Sequence, residues 1–185
     1  GDSGGALNLI GVNTLSVEKL IVSNFDTNVN EIRIDTSNML DLTTIGTAAS
    51  SETGDTRIDN LIKKVSAEMK NGLGDLTINY STNIVEGISD EQTITLANQT
   101  GGTFTVQGIE KIDVISTTAP NTVILASNQL KEINVSGSSN INLGTVNFAN
   151  SPLVMSFDGK IDASMATGAV SFTAENDVYN VKGGT

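Results

Sequence analysis

Short turns rich in Asp, Asn and Gly recur along the chain, and turns of this composition can bind calcium. Calcium takes about six to eight oxygen ligands from carboxylates, side-chain amides and backbone carbonyls, usually in flexible loops. The candidate turns are Asn24-Phe25-Asp26-Thr27-Asn28, Gly87-Ile88-Ser89-Asp90-Glu91, Phe157-Asp158-Gly159 and Glu175-Asn176-Asp177. None has the ligand spacing of an EF-hand, and solvated surface is the simpler interpretation of each one. The metal-ligating residues therefore stay unknown from the sequence alone.

A second short motif, Gly1-Asp2-Ser3-Gly4-Gly5, matches the sequence around the nucleophilic serine of trypsin-like proteases. That serine needs a histidine to accept its proton and an oxyanion hole to stabilise the developing charge. The chain contains neither His nor Cys, so His-based acid–base catalysis, thiolate nucleophiles, disulfides and His-ligated zinc are excluded. We therefore assign no catalytic residue and no cofactor-binding residue.

Carboxylates alone could still support glycoside hydrolysis, which needs two acidic groups on either side of a sugar. The acidic residues are scattered over the whole chain: Asp26, Asp35, Asp41, Asp59, Asp90, Glu91, Asp113, Asp158, Asp162, Glu175 and Asp177. Two Tyr and no Trp leave few aromatic rings to stack on a sugar. We therefore expect a protein that is not an enzyme. A carbohydrate-active β-helix is an alternative that ranks below the two non-enzymatic functions described at the end of this section.

The charge of the chain limits its partners. Ten Lys and Arg against 21 Asp and Glu give a formal net charge of −11. This charge argues against a nucleic-acid partner, because phosphate backbones attract basic surfaces. The apolar runs are only a few residues long, so no transmembrane segment is predicted.

The elements that would carry these turns are short β-strands. Ile and Val favour the pleated surface of a strand, and frequent Asn, Ser, Gly and Asp favour the turns between strands. Segments such as Glu31-Ile32-Arg33-Ile34-Asp35 alternate apolar and polar residues with a period of two. The predicted strands are 17–22, 31–35, 75–79, 92–96, 102–106, 111–115, 122–125, 132–135, 144–148, 153–157, 169–173 and 178–181.

One segment departs from the strand pattern. Between Asp55 and Gly72, apolar residues recur at helical spacing: Ile58, Leu61, Ile62, Val65 and Met69. Asp55 or Thr56 could cap the start of a helix, and Gly72 could end it. The sequence therefore predicts a short helix here, with continuation of the strand pattern as the alternative.

A short phrase is repeated along the chain. Ile34-Asp35-Thr36-Ser37-Asn38-Met39-Leu40 is similar to Ile124-Leu125-Ala126-Ser127-Asn128-Gln129-Leu130, and weaker copies begin at residues 65, 95 and 161. The intervals are roughly thirty residues, which is typical of stacked repeats. The fold class predicted is mainly β, an irregular β-solenoid or β-helix-like stack of short strands with at most one or two short helices. Ile34, Ile94, Ile124 and Ile161 are expected to point inward at equivalent positions.

Two segments carry a resemblance to a known family. The run from Ile161 to Thr173 has Ile-Asp-Ala-Ser, a short turn, Gly and an alternating strand, which resembles bacterial surface-layer (S-layer) proteins. Val178-Tyr179-Asn180-Val181-Lys182-Gly183-Gly184-Thr185 looks like the beginning of a Gly-Gly-x-Gly-x-Asp calcium repeat. Both features are similar to the array proteins of Caulobacter and Campylobacter type, which belong with the RTX proteins exported by type I secretion. No complete nonapeptide of this kind is present, so its calcium sites are not carried over.

The resemblance implies a function. It implies a secreted protein at the bacterial cell surface, which assembles with neighbouring protomers into an array and folds in a calcium-dependent way. Cell-surface polysaccharide is a further partner, through regions outside this sequence. The alternative is an adhesin or autotransporter-like passenger segment that binds host or matrix molecules.

The ends of the chain predict its context. The sequence starts with Gly1 instead of a Met or a signal peptide, and it ends at Lys182-Gly183-Gly184-Thr185. We therefore expect 1–185 to be a single β-rich solenoid-like domain and an internal fragment of a longer protein.

Overall fold

Each pass of the chain contributes one strand to each of two or three parallel sheets, and successive passes stack on one another. A computed structural model describes residues 8–9, 16–27, 31–149, 159–174 and 178–183. The stack is a parallel β-solenoid of about seven turns, which we call coils. No helix occurs among the described residues, and hence none that is long and apolar enough to cross a membrane.

Three sheets form the walls of the solenoid, and every strand pair in them is parallel. The six-stranded sheet contains, in spatial order, β1 (Asn8–Leu9), β3 (Ile32–Asp35), β5 (Thr56–Leu61), β7 (Leu76–Tyr80), β9 (Thr103–Val106) and β12 (Ile124–Ala126). The eight-stranded sheet contains β2 (Lys19–Val22), β4 (Thr44–Ala48), β6 (Ser66–Lys70), β8 (Glu91–Ala97), β10 (Lys111–Thr117), β13 (Glu132–Gly137), β15 (Gly159–Ala166) and β17 (Val178–Lys182). The three-stranded sheet contains β11 (Asn121–Thr122), β14 (Ile141–Val146) and β16 (Val170–Ala174).

The core consists of columns of inward-facing apolar side chains, one from each coil. In the six-stranded sheet Ile34, Ile58, Ile78 and Val106 are paired in register. Their exposed fractions are 2% or less, because residues at every second position of a strand face inward. Burial of such a column contributes about 25 cal/mol for each Å² of apolar surface removed from water, so the stacking of coils is the main stabilising contribution.

The corner after the eight-stranded sheet is built from stacked residues in the left-handed conformation. Ala49, Asn71, Asn98 and Thr118 directly follow β4, β6, β8 and β10, and all four have a positive φ between 53° and 73°. Asn is well suited to this conformation, and the Asn98 side-chain amide donates to Asn71 Oδ1 at 3.1 Å. The corner is therefore a polar ladder that turns the chain in the same way in successive coils.

The corner that leads into the six-stranded sheet depends on a stack of glycines. Gly54, Gly74 and Gly102 lie directly above one another, and each is followed by the first residues of a strand of that sheet. A Cβ on Gly74 would lie 2.5 Å from the Gly54 carbonyl oxygen, and one on Gly102 would lie 2.6 Å from the Gly74 carbonyl oxygen. Only a residue without a side chain permits such close backbone stacking.

The predicted fold class is confirmed, since the structure is a β-solenoid made of short strands. All of the predicted strands overlap observed strands except 153–157, which lies outside the described residues. Four strands in the first half, β1, β4, β5 and β6, were missed by the period-two pattern.

The predicted helix between Asp55 and Gly72 is wrong, because this segment forms β5 and β6. Asn60 adopts a positive φ, and the pairing of β5 with β7 shifts by one residue between Ile58 and Leu61. The extra residue lets both apolar side chains face inward although they are three positions apart. A turn between Leu61 and Val65 then adds a spacing of four, so a bulge and a corner together imitate helical periodicity.

The predicted repeat of roughly thirty residues and its core column are only partly correct. Paired strands of neighbouring coils join residues 19 to 29 positions apart, so most coils are shorter than the predicted repeat, and the coil from β14 to β16 comes close to it. Ile34, Ile94 and Ile161 are buried, but Ile34 lies in the six-stranded sheet and the other two in the eight-stranded sheet. Ile124 is 45% exposed. It pairs with Thr103, three positions before Val106 in the column of Ile34, and an odd offset turns a strand residue to the opposite face.

We expect Gly74→Ala to destabilise the fold strongly, because its Cβ would meet the carbonyl oxygens of Gly54 and Ser51 at 2.5 and 2.7 Å. Overpacking of this kind costs about 1–3 kcal/mol or more. Urea unfolding measures the change. Gly183→Ala is the matched control, since nothing lies within 4 Å of its Cβ, and equal effects of the two changes would contradict the stacked-glycine corner.

The corrected register predicts opposite outcomes at two adjacent positions. Leu125 is 4% exposed and faces the core, whereas its neighbour Ile124 faces outward. Leu125→Ala should lower the free energy of unfolding by about 2–5 kcal/mol, and Ile124→Ala by well under half of that. Equal losses in thermal or urea unfolding would show that β12 is paired in a different register.

Candidate interaction surface

The outer face of the eight-stranded sheet carries a row of alternating charges. Glu91, Lys111, Glu132 and Lys160 stand side by side on β8, β10, β13 and β15, because these strands pair in register. We call these four residues the charge ladder. Lys111 Nζ lies 2.8 Å from Glu91 Oε1, and Lys160 Nζ lies 2.8 Å from Glu132 Oε1. The ladder is therefore made of two close ion pairs placed one after the other along the solenoid axis.

Hydrogen bonds along the charge ladder favour the ionised forms of its two lysines. The hydrogen bond to Glu91 raises the pKa of Lys111, and the hydrogen bond to Glu132 raises the pKa of Lys160. The neighbouring row adds more negative charge, with Asp113 3.7 Å from Lys111 and Asp162 3.7 Å from Lys160. Because the pairs are exposed to solvent, they contribute little to stability and more to the pattern of charge that the surface presents.

The same face continues towards the start of the chain. Glu68 on β6 accepts a hydrogen bond from Lys19 Nζ at 2.8 Å, although the two residues lie 49 positions apart. Burial opposes ionisation of Glu68, but hydrogen bonds from Lys19 and Lys70 outweigh it and lower the pKa of this carboxyl. Paired charges thus recur on the outer face of the eight-stranded sheet in successive coils.

A shallow groove of about 450 Å³ runs beside the charge ladder. Its floor contains a second row of side chains in register, with Asn134 between Asp113 and Asp162. Asn134 Nδ2 donates to Asp113 Oδ1 at 2.9 Å. Ser164 donates to Asp162 Oδ1 through both its backbone N and its Oγ, and these bonds hold the pKa of Asp162 below its usual value.

Glycoside hydrolysis needs a pair of carboxyls, and three carboxyls line the groove, those of Asp113, Glu132 and Asp162. Such a reaction uses one carboxylic acid with a raised pKa and one carboxylate. The pKa of Asp162 is lowered, whereas the acid of this reaction needs a raised pKa. Burial raises the pKa of Asp75, with a further contribution from Asp55, but both residues lie at the corner before the six-stranded sheet, away from the groove.

The scattered acidic residues of the sequence have separate structural partners. Asp35 accepts from Ser37 N at 2.9 Å, and Asp41 accepts from Ser16 N at 3.1 Å. Asp59 accepts from Arg57 and Asn79. Asp158, Glu175 and Asp177 lie outside the described residues. In the described ranges no three Asp or Glu residues converge into a group that could hold a metal ion.

The first predicted calcium turn, 24–28, joins neighbouring coils. Asn24 is 3% exposed and its Nδ2 donates to the Asp55 carbonyl oxygen at 2.8 Å. Ser51 Oγ and Thr53 Oγ1 both donate to the Asp26 carbonyl oxygen. Oxygens that would ligate an ion therefore serve as hydrogen-bond acceptors in the stacked corner. Residue 28 lies outside the described residues.

The second predicted calcium turn, 87–91, covers the end of a ten-residue loop, 81–90, between β7 and β8, and the first residue of β8. Gly87 N donates to Asp90 Oδ2 at 2.9 Å, and Lys64 Nζ forms an ion pair with Asp90 Oδ1. The hydrogen bond from Lys64 holds the pKa of Asp90 below its usual value. Of the remaining two turns, 157–158 and 175–177 lie outside the described residues.

A buried network closes the base of this loop. Tyr80 Oη donates to Gln92 Oε1 at 2.6 Å, and Gln92 Nε2 donates to the Val65 carbonyl oxygen at 3.0 Å. Val65 N donates to Tyr80 Oη at 3.3 Å. The last residue of β7, the second residue of β8 and the preceding coil are thereby tied together, so the loop leaves the solenoid and returns to it at a fixed place.

Sequence reasoning missed a ladder of aspartates beside the stacked glycines. Asp55 Oδ1 accepts from Asp75 N at 3.1 Å, and Asp75 Oδ1 accepts from Thr103 N at 2.7 Å. Each side chain thus satisfies a backbone donor of the next coil. The signal was the repeated start Gly54-Asp55, Gly74-Asp75 and Gly102-Thr103, in which the glycine lies two or four residues before an inward-facing apolar residue.

No family model, no curated protein and no solved structure matches this chain.

Tyr80→Phe tests the network at the base of the loop. Burial raises the pKa of Tyr80 to about 12, while the unfolded chain ionises near pH 10. The neutral hydroxyl therefore stabilises the fold fully below about pH 10, and this contribution is lost as the pH rises towards about 12. At about pH 8 the change should cost about 1–3 kcal/mol, because Gln92 Oε1 loses its buried donor.

The measurement is urea unfolding of both proteins at several pH values. The difference in unfolding free energy between wild type and Tyr80→Phe should shrink above about pH 10. Lysine titration and the other tyrosine affect both proteins alike and cancel in this difference. A difference that stays constant up to about pH 12 would contradict the buried hydroxyl network.

Proposed function

We propose that this chain is a structural part of a bacterial cell-surface array of S-layer type, that it is secreted, and that it has no enzymatic activity. The observation that supports the proposal is the charge ladder on a long, regular parallel sheet. Solenoids present extended surfaces whose chemistry repeats with each coil, and such surfaces suit lateral packing of identical subunits. The resemblance of 161–173 and 178–185 to S-layer proteins points to the same class of protein.

The alternation of the charge ladder suits contact between copies of one chain. A row of like charges would repel a second copy of itself, whereas an alternating row is complementary to a copy shifted by one strand or related by a two-fold axis. Lys111 of one copy would then face Glu91 or Glu132 of another. Because the charges are exposed, they would determine register and specificity more than the strength of the contact.

Calcium has a role in this proposal. A net charge of −11 makes the copies repel one another at close range. Divalent cations bound between carboxylates of adjacent copies would remove this repulsion, and the Asp–Asn row of the groove faces outward where such bridging would occur. We therefore propose assembly that depends on calcium, with neighbouring protomers as the principal partner.

The second candidate function is an adhesin segment that binds host or matrix molecules. Two observations favour it. Loop 81–90 carries Ile88, which is 85% exposed, and the groove beside the charge ladder is open to a ligand. An adhesin would remain dispersed in calcium and bind its ligand as a monomer, so assembly separates the two functions.

Reversal of the lysines of the charge ladder tests the proposed contact. The double change Lys111→Glu and Lys160→Glu turns the ladder into four like charges. We expect wild type at high concentration with a few millimolar calcium to form ordered sheets or filaments in negative-stain electron microscopy. The double variant should stay dispersed, because an all-acidic ladder repels its copy.

A matched control keeps the alternation but inverts it, with Glu91→Lys, Lys111→Glu, Glu132→Lys and Lys160→Glu combined. This variant retains the ion pairs along the ladder, loses the contacts of residue 111 with Asp113 and of residue 160 with Asp162, and should assemble with itself as wild type does. If the double variant assembles normally, the charge ladder is not the contact. If wild type stays dispersed with and without calcium, the array function is wrong and the adhesin becomes the first candidate.

A further inference from the structure

One carboxylate lies inside the wall of the solenoid. Among the described residues Glu110 is the single charged residue that is buried, with 3% of its surface exposed. It directly precedes β10, at the corner that leads from the six-stranded sheet to the eight-stranded sheet. Its backbone belongs to the regular ladder, since Glu110 N donates to the Asp90 carbonyl oxygen at 3.1 Å. The backbone of Glu110 therefore has a fixed position.

The two carboxylate oxygens of Glu110 differ in their surroundings. Oε2 accepts a hydrogen bond from Asp90 N at 2.8 Å. Oε1 is buried and has no hydrogen-bond partner. In the described part of the chain no Lys or Arg forms an ion pair with Glu110. An ionised carboxylate buried with one hydrogen bond is strongly destabilising, so a cation, a proton or a water molecule must compensate it.

Two nearby lysines are already engaged by other carboxylates, and a third, Lys131, has an exposed side chain that forms no ion pair with Glu110, although its backbone N donates to the Glu110 carbonyl oxygen at 2.7 Å. Lys64 pairs with Asp90, and Lys111 pairs with Glu91 and Asp113 on the outer face. These pairs use the local positive charge without reaching the buried oxygen. A compensating cation for Glu110 would therefore have to come from solution.

The loop above Glu110 supplies the kind of ligand that such a cation needs. Loop 81–90 packs against the same corner, and a Cβ on Gly108 would lie 3.0 Å from the Val85 carbonyl oxygen. Gly108 has a φ of +74°, so glycine permits both the turn and the close approach of the loop. Backbone carbonyls of a loop together with one or two carboxylates are typical calcium ligands.

We propose that Glu110 Oε1 ligates a single calcium ion that fastens loop 81–90 to the corner before β10. His and Cys are absent from the chain, so the available oxygen ligands select a hard cation over zinc or copper. The turn 87–91, one of the candidate calcium turns of the sequence, covers the end of this loop and the first residue of β8. The site lies within one copy of the chain and does not depend on array assembly.

The test compares the melting temperature of the dilute, unassembled chain in calcium and in chelator. Wild type should melt about 5 °C or more higher when calcium is present at about a hundredfold excess over its dissociation constant. Glu110→Gln should show no such shift, and in chelator it should melt above wild type, because a neutral amide replaces an uncompensated charge. Glu52→Gln, at an exposed position in a different corner, is the matched control and should respond to calcium as wild type does.

Proteolysis of wild type provides a second measurement that needs no variant. A glutamate-specific protease can cut after Glu86 in the loop and after Glu52 in a different corner. Calcium should slow cleavage at Glu86 at least about tenfold and leave cleavage at Glu52 unchanged, because only the loop is fastened by the ion. Mass spectrometry of the fragments separates the two rates.

Each contrary result overturns the proposal. Equal calcium shifts in wild type and Glu110→Gln would place the ion elsewhere. No shift in wild type, with cleavage at Glu86 indifferent to calcium, would show that a proton or a water molecule compensates Glu110. Because all measurements use the unassembled chain, neither result decides whether the array function is correct.

Discussion

The whole structure depends on parallel pairing of each coil with the next in register. In a parallel ladder every residue of one coil stands above its partner, so an inward-facing position in one coil requires an inward-facing position in all the others. This constraint produces the core column of the six-stranded sheet, which is Ile34, Ile58, Ile78 and Val106. It also produces the charge ladder on the outer face of the eight-stranded sheet. The same register that builds the core also repeats the surface.

The constraint explains how much of the fold could be predicted from the sequence. Period two and β-branched residues predicted most strands, because these signals lie within a single strand, and the repeated phrase predicted their stacking into a solenoid. The length of a coil could not be predicted in the same way, since it depends on corners and loops that differ between coils. A bulge at Asn60 and a ten-residue loop at 81–90 changed the spacing between equivalent residues. The predicted helix at 55–72 and the predicted inward position of Ile124 were both errors of this kind.

Polar residues of the corners were harder to interpret than strands. Asn, Asp and Gly in turns predict loops and also calcium sites, and sequence alone does not separate these roles. In this structure the side chains of Asn24, Asp55 and Asp75 form hydrogen bonds with backbone groups of adjacent coils. Every buried corner requires such bonds, because buried backbone N–H and C=O groups need hydrogen-bond partners. The charge ladder could not be predicted from the sequence either. Glu91 and Lys160 are recognised as members of one row only when the register of three strand pairs is known.

Satisfied and unsatisfied polar groups therefore carry different information about function. Two buried side-chain oxygens lack a hydrogen-bond partner in the described residues, Thr56 Oγ1 and Glu110 Oε1. The hydroxyl is neutral and stands in a core column between Ile32 and Leu76, where its cost is about 1–3 kcal/mol and needs no ligand. The carboxylate is different, because a buried charge with one donor is far more costly than a neutral group. In a fold whose corners otherwise supply their own hydrogen bonds, a carboxylate oxygen without a partner beneath an inserted loop is the feature that requires something the chain does not contain.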